Sequence, residues 1–462
     1  MDVQSNDPSL ATAPRPRAVA GWVLYDLANT VFTMGVVTML FPLWLRGRVG
    51  ATHVDATLGV VTSVSMGIIF VLAPILGSMT DRARRRLPFL TVSTVGCVAM
   101  TLLIGRAGLT GSLLAFVVAN ALYQAGLQFY DALLPSVSTP ATRGRIGGLG
   151  VGIGYVGSFL AVGVLLAAPQ MGWSDTTQFT MLAGLFVVFA LPCFAWVDEV
   201  DNPSPGRVWS VAETRRALAR TWHTLRSSSE HASLRRFLIG RLFYTDPVNT
   251  VIMVMTLYAI NVAQTSGVEP AAAERIAKLI MFGAIVFAVV GGLTIGRLVD
   301  RFGARRVLAW VLGLWCVTFT IAASLGLFAM PWQWLIAVSA MAGTALGGTW
   351  AADRPLMLEL TPPDRLGEFY GLYGMVGRFS AVVGPLLWAS SMTLVQGMGG
   401  STLRAQGFSV LLLLALTLVA VGILRPITRA VSERGAASAR RAAASDSAGY
   451  VNSRAADERK PL

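Results

Sequence analysis

Residues 296–306 read GRLVDRFGARR and lie between two apolar runs, Leu279 to Leu293 and Val307 to Trp315. An aspartate and four arginines squeezed between such runs make a short charged hairpin, because neither flank leaves room for a globular loop. The same design occurs upstream as GSMTDRARRR at residues 77–86, flanked by apolar runs at 58–79 and 87–104. The offset from Gly77 to Gly296 is the same as the offset from Asp81 to Asp300. One half of the chain is therefore a diverged copy of the other. A repeat of nearly half the chain length in an apolar sequence marks a duplicated bundle of membrane helices.

Composition points the same way. The chain is 54% apolar and 13% charged over 462 residues, against roughly 25% charged in soluble domains. So little polar surface cannot cover a water-soluble particle of this size. Cys97, Cys193 and Cys316 all lie in apolar runs, so no disulfide framework is indicated. The net charge of +13 reflects arginines in loops beside spans and does not indicate a nucleic-acid partner. Residues 1–17 are polar and lack the apolar stretch of a secretory signal, which leaves the first span as the targeting element.

A membrane span needs about 20 apolar residues. On that measure spans fall near 18–45, 57–80, 87–105, 111–137, 146–168 and 178–197 in one half. In the other they fall near 237–263, 276–299, 306–328, 333–357, 367–394 and 407–427. The expected organisation is a polar tail (1–17), an N-terminal six-helix bundle (18–197), a linker (198–236), a C-terminal six-helix bundle (237–427) and a disordered tail (428–462). Arginines cluster after spans 2, 4 and 8, at Arg82, Arg84–Arg86, Arg143, Arg145, Arg301, Arg305 and Arg306, and are fewer on the opposite face. The positive-inside rule then puts both termini in the cytoplasm. In the linker, Ser210 and Glu213 form a capping box opening a helix. Its apolar positions Val211, Leu218, Trp222 and Leu225 suit either a helix on the headgroups or a solvated connector.

Two motifs mislead. Gly152-x-Gly154-x-x-Gly157 spells a dinucleotide fingerprint but lies inside an apolar span with no strand before it. Its glycines instead suit close helix packing in a membrane. The two lysines and the absence of a phosphate-binding loop argue against ATP-driven transport, and His53, His223 and His231 form no ligand-spaced cluster. No metal and no cofactor are expected.

Charges inside spans carry the functional signal, because each costs at least ~2.5 kcal/mol to insert. Tyr25-Asp26-Leu27-Ala28-Asn29-Thr30-Val31 in span 1 is echoed by Tyr244-Thr245-Asp246-Pro247-Val248-Asn249-Thr250-Val251 in span 7, nearly in step with the hairpin repeat. Asp and Asn at i, i+3 share a helix face, so each half would direct an acceptor and an amide the same way, or these groups would merely pair across the halves. Pro247 would kink its helix and free the carbonyl of Phe243. A third echo joins Gly144, Gly148, Leu149 and Gly154 to Gly367, Gly371, Leu372 and Gly377, all at one common offset. The next position breaks the symmetry, Tyr155 against Arg378. Arg378 lies roughly 16 Å deep at 1.5 Å per residue. Two readings stay open: an ion pair with Asp26, Asp131 or Asp353, or a clamp for a substrate carboxylate. Asp353 and Arg354 are adjacent and point apart, which disfavours a pair between them.

The pattern Gly-x-x-x-Asp-Arg-x-Gly-x-Arg-Arg at Gly296–Arg306 resembles the loop signature of the major facilitator superfamily. The first copy differs, with Arg84 in the glycine position. Trp22-x-x-Tyr25-Asp26-x-Ala28-Asn29-Thr30, Tyr130-Asp131-Ala132-Leu133-Leu134-Pro135, Gly144-Arg145-Ile146, Gly154-Tyr155-Val156-Gly157 and Gly367-Glu368-Phe369-Tyr370-Gly371-Leu372-Tyr373 are similar to the vacuole-effluxer-like family of that superfamily, in a bacterial-type member. The likeness runs over residues 20–425. The chain departs from the family at Asp246-Pro247 and around Arg354. The resemblance implies release of amino acids, as in the family's fungal members, and hairpins that latch the cytoplasmic side.

Together these readings give an all-α, twelve-span major facilitator fold and a secondary carrier for a small polar or anionic solute, in which protons are one candidate coupling ion. Tyr25, Asp26, Asn29, Tyr130, Asp131, Tyr155, Arg241, Tyr244, Asp246, Asn249, Asp353, Arg354 and Arg378 are the candidates for binding or coupling. Gly77, Asp81, Arg82, Gly296, Asp300, Arg301, Gly303, Arg305 and Arg306 would form the latch. A monomer in the plasma membrane, in contact with lipid and its solute and with no nucleic acid, is expected. A multidrug exporter and a non-transporting scaffold or sensor are the alternatives.

Overall fold

The computed structural model describes residues 15–50, 53–199, 201–202, 205–206, 208, 232–362 and 365–427. The amphipathic linker helix expected after Ser210 and both polar tails lie outside these residues. Twelve long helices are present among them: α1 (Pro16–Val49), α2 (Val54–Arg82), α3 (Leu87–Leu103), α4 (Gly108–Asp131), α5 (Arg143–Gln170) and α6 (Asp175–Trp196) in one half, then α7 (Ala232–Thr265), α8 (Pro270–Phe302), α9 (Ala304–Phe328), α10 (Trp334–Leu360), α11 (Leu366–Gly397) and α12 (Thr402–Ile427) in the other. Ten of them are long and apolar enough to cross a membrane; Leu87–Leu103 is apolar but shorter, and Leu366–Gly397 has 32 residues. Side chains such as Leu43, Val71, Val92, Leu166, Leu257, Leu279 and Leu386 are 61–70% exposed. On a soluble protein that much outward-facing leucine and valine would be an aggregation surface; here it is the face presented to lipid.

Helix boundaries follow local chemistry. α4 was expected to run to residue 137 but stops at Asp131, and a four-residue helical turn, Leu134–Val137, follows. Pro135 in that turn has no N–H to continue the ladder. α7 begins at Ala232, inside the stretch expected to be linker. α1 contains a ten-residue π-helical stretch, Val31–Leu40, that the apolar pattern could not reveal. It begins where the Thr30 and Thr33 hydroxyls donate to the carbonyls of Asp26 and Asn29 at 3.1 and 2.9 Å; such stretches tend to mark functional sites.

The halves meet where α2 crosses α11 and α5 crosses α8. At their tightest points these crossings bring backbone against backbone, with Leu293 and Val299 beside them. A Cβ added to Gly148 would lie 2.7 Å from the Gly296 Cα, and one added to Gly371 would lie 2.7 Å from the Ala73 carbonyl oxygen. Ala73 and Gly292 stand at the same offset as Gly77 and Gly296, so the two crossings are one contact made twice. The false dinucleotide fingerprint is part of this packing. A Cβ on Gly152 would meet Leu293, and one on Gly157 would lie 2.5 Å from the Leu27 carbonyl.

Candidate functional site

At the hairpin end each hairpin aspartate of one half caps a helix of the other. Asp81 accepts the N–H groups of Gly367 and Glu368 at 2.6 and 2.8 Å, and Asp300 accepts those of Gly144 and Arg145 at 2.7 and 3.0 Å. A carboxylate there meets unsatisfied backbone donors and the positive end of the helix dipole. The hairpins themselves differ. Gly303, at φ 85°, turns the second in a single residue between α8 and α9. The first lacks that glycine and runs through residues 83–86, with Ala83 extended. It is tied down instead by the segment after α6. Glu199 accepts the N–H groups of Arg86 and Leu87 at 2.6 and 2.8 Å, and Asn202 donates to the carbonyls of Asp81 and Ala83. Asp201 pairs with Arg85 and Arg84; hydrogen bonds from Arg85, then Arg84, hold its carboxyl below the usual carboxylate range. Among the other latch candidates, Arg82 bonds the Ser78 carbonyl and Arg305 the Ile427 carbonyl, Arg301 lies over the Phe302 ring, and Arg306 is exposed. Gly77 and Gly296 are the backbone contacts already described.

Between the halves lies a cavity of about 440 Å³. Eight of the thirteen candidates line it: Asp26, Asn29, Asp131, Tyr155, Arg241, Asn249, Arg354 and Arg378. Three arginine clusters organise it. Arg354 of α10 reaches across to the other half and takes two carboxylates, Asp26 through two contacts at 2.9 and 3.3 Å and Asp131 at 3.1 Å. Arg241 stays within its half, bonded to Asp353 at 3.0 Å and to the Tyr373 carbonyl at 3.1 Å, its guanidinium 3.6 Å above the Tyr373 ring. Asp353 is fully buried and also receives the hydroxyls of Tyr244 and Tyr373. The adjacent Asp353 and Arg354 thus serve separate clusters.

Arg378 is the third. None of Asp26, Asp131 and Asp353 pairs with it. It donates instead to the Gln124 backbone carbonyl at 2.8 Å and to the Gln124 side chain at 3.4 Å, and its buried Nη1 has no partner among the described residues. Asn29 is 3% exposed, and neither of its amide atoms is bonded among the described residues. Unsatisfied donors and acceptors on a cavity wall are groups a ligand can satisfy.

The remaining five candidates lie behind the wall. Tyr130 stacks on Trp22 at 4.6 Å and Tyr25 at 5.1 Å, with the Tyr25 hydroxyl bonded to Thr94. Tyr244 and Asp353 belong to the Arg241 cluster. Asp246 is displaced by one position. Tyr25 and Tyr244 keep the offset of the hairpins, whereas Asp26 and Asp246 exceed it by one, because Thr245 is an insertion. One extra residue turns a helix by about 100°. Thr245 accordingly takes the cavity-lining place, with Arg241 and Asn249 at four-residue spacing on either side, and Asp246 faces α11. The expected matching of the two aspartates on one cavity face is therefore not what the halves build.

Sequence reading missed Gln124, Thr245, Trp350 and Tyr373 on the wall. Gln124 and Gln128, one turn apart in an apolar span, were the available signal. A second duplication signal was also there. Trp22 stands where Arg241 stands at the hairpin offset, and Tyr130 where Asp353 stands at the offset of the glycine echo. An aromatic stack in one half is thus an ion pair in the other.

Residues 49–435 match the family model described as "Vacuole effluxer Atg22 like". An uncharacterized MFS-type transporter, YxiO, from Bacillus subtilis is 26% identical over 80% of this chain and 86% of its own. Autophagy-related protein 22 from Eremothecium gossypii is 22% identical over 80% and 84%. Among solved structures, the human organic anion transporter MFSD10 superposes with a TM-score of 0.67 at 14% identity, covering 88% of this chain and 98% of that one. A bacterial homologue of the iron transporter ferroportin in an outward-facing state superposes with a TM-score of 0.66 at 16% identity, covering 89% and 98%. These two likenesses concern the fold.

Proposed function

The chain belongs to the vacuole effluxer Atg22-like family, and from that premise we propose that it carries a small zwitterionic solute of amino-acid size by alternating access between the two faces of its central cavity. It is a multi-pass membrane transporter of the major facilitator fold and not an enzyme. The observation that carries the solute class is the charge layout of the cavity. Arg354 faces two carboxylates, leaving that side one negative charge in excess, while Arg378 pairs with none of the cavity carboxylates and keeps an unsatisfied Nη1. A carboxylate on Arg378 and an ammonium toward Asp26 and Asp131 would neutralise both, and Asn29 and Asn249 would orient the solute. The guanidinium supports this role because its paired donors match a carboxylate in two parallel hydrogen bonds. A cavity of about 440 Å³ suits a metabolite. A wall with this many committed charges does not favour the broad apolar ligands of a multidrug exporter.

The glycine crossings and aspartate caps shut one end of the carrier. Loop arginines support the cytoplasm as that end. Loss of the caps would let the halves rock and open the cavity there. The test is a thermal-shift series on the purified chain with free amino acids, their decarboxylated amines and their deaminated acids. A solute at 100 times its Kd adds about 2.7 kcal/mol. Zwitterions are expected to raise the melting temperature and both one-charge analogues to fail. Stabilisation by apolar cations would favour the exporter reading, and an inert protein in liposomes would favour a scaffold.

A further inference from the structure

We infer that Asp246, with Thr250 and Gly384, forms a proton-carrying site behind the solute cavity, so that the coupling proton and the solute occupy different places. This rests on the carrier reading above. Asp246 is 4% exposed and Thr250 wholly buried. Neither carboxylate oxygen of Asp246 nor the hydroxyl of Thr250 has a well-formed hydrogen bond among the described residues, and the backbone N–H of Gly384 is the one donor close to the carboxyl. Residues four apart share a helix face, and α11 closes over that face. Ser380 donates to the Leu242 carbonyl at 3.0 Å, and a turn later Gly384 sits so close that a Cβ there would lie 2.8 Å from Asp246 Oδ1. Alanine in place of Gly384 would intrude on the carboxyl.

A bare carboxylate in such a place cannot keep its charge. Unpaired and desolvated, it neutralises instead of bearing the cost of burial. The arginines that could compensate it are committed elsewhere. Arg241 is bound to Asp353 and Arg354 to Asp26 and Asp131, while Arg378 lines the solute cavity and donates to Gln124, not to Asp246. Arg305 of α9 bonds the Ile427 carbonyl, and α8 carries its charges toward its two ends. Thr250 supplies a hydroxyl to receive the acid proton. A sodium ion is the poorer occupant, because hard cations take several oxygen ligands and the cluster offers one carboxyl and one hydroxyl. Access is short, since Thr245 and Asn249, on the same turns of α7, line the cavity. The proton would enter from cavity water while that end is open and leave when the opposite end opens.

The solute-independent test is infrared difference spectroscopy of the purified full chain near neutral pH. The wild type is expected to show the carbonyl band of a neutral carboxylic acid, Asp246→Asn to lose it, and Asp131→Asn to keep it. Should Asp246→Asn fail to fold, Thr250→Val is expected to move the band by removing the hydroxyl proposed to receive the acid proton. Absence of the band in the wild type, its survival in Asp246→Asn, or its loss when sodium replaces choline would each overturn the proposal. The transport arm uses radiolabelled leucine in proteoliposomes. One proton per solute lets a one-unit pH gradient sustain about tenfold accumulation. Asp246→Asn should retain leucine exchange at equal pH and lose that accumulation; retained accumulation would overturn the coupling role. If the wild type moves no leucine, the solute reading falls while the infrared arm still decides the proton site.

Discussion

Two arginines in one cavity should respond differently to removal. Arg354→Met strips Asp26 of a two-point partner at 2.9 and 3.3 Å and Asp131 of one at 3.1 Å. Asp26 is 6% and Asp131 9% exposed, so cavity water can replace only part of what the guanidinium supplies. Breaking a buried ion pair by removing one member costs about 3–5 kcal/mol, and with two carboxylates stranded the upper end applies. Because Arg354 spans the halves, the loss weakens their cohesion as well as the local fold. Melting curves of the purified protein in detergent give the readout. Asp26→Asn added to Arg354→Met should recover most of the loss and Asp131→Asn a smaller part, in proportion to the contacts each carboxylate gives up. Arg378→Met strands no carboxylate and gives up only its donations to Gln124, so its loss should be about 1–3 kcal/mol, smaller than that of Arg354→Met, while the solute shift vanishes. A wild-type melting point for Arg354→Met, or a large loss for Arg378→Met rescued by Asp353→Asn, would refute the assignment of partners.

Asp81→Asn and Asp300→Asn should each cost the closed state roughly 1 kcal/mol. That is about a fivefold shift in population, read as faster labelling of Val151→Cys from the hairpin side; an unchanged rate would leave the hairpins as topology signals. Gly148→Leu should block closure, because its Cβ would meet the Gly296 Cα, whereas Gly163→Leu, with open space around it, should behave as wild type in the same labelling assay. A reporter fused after Leu462 or within residues 200–233 should read cytoplasmic and one within 169–176 external. The inverse pattern would overturn the orientation drawn from loop arginines.

The duplicated hairpins made the repeat legible, because the pairing of Gly77 and Asp81 with Gly296 and Asp300 survives divergence, and apolar run length made the all-helical fold legible. Burial cost flagged Asp26, Arg354 and Arg378 for the same reason, since membranes tolerate few charges. Partner identity was not legible. Adjacency separated Asp353 from Arg354 but gave no sign that one would remain in its half and the other cross. Asp246 was misplaced by a single position: similarity of Asp-x-x-Asn-Thr-Val survives the Thr245 insertion, whereas facing does not. Tyr130 reads as a polar candidate in sequence, yet its ring stacking on Trp22 is a product of packing. The π-helical stretch of α1 leaves no mark in hydropathy, and the threonine back-bonds at its start recur in regular helices.

Because the tightest points of the crossings between halves are backbone against backbone at glycine, parting them there uncovers little apolar side chain. Heat-capacity change tracks the apolar surface that is exposed. The exchange between the two access states should therefore carry a small heat-capacity difference, and its balance should drift little with temperature. A carrier built this way keeps the same standing bias in a cold membrane as in a warm one, set by two carboxylates and not by the strength of the hydrophobic effect.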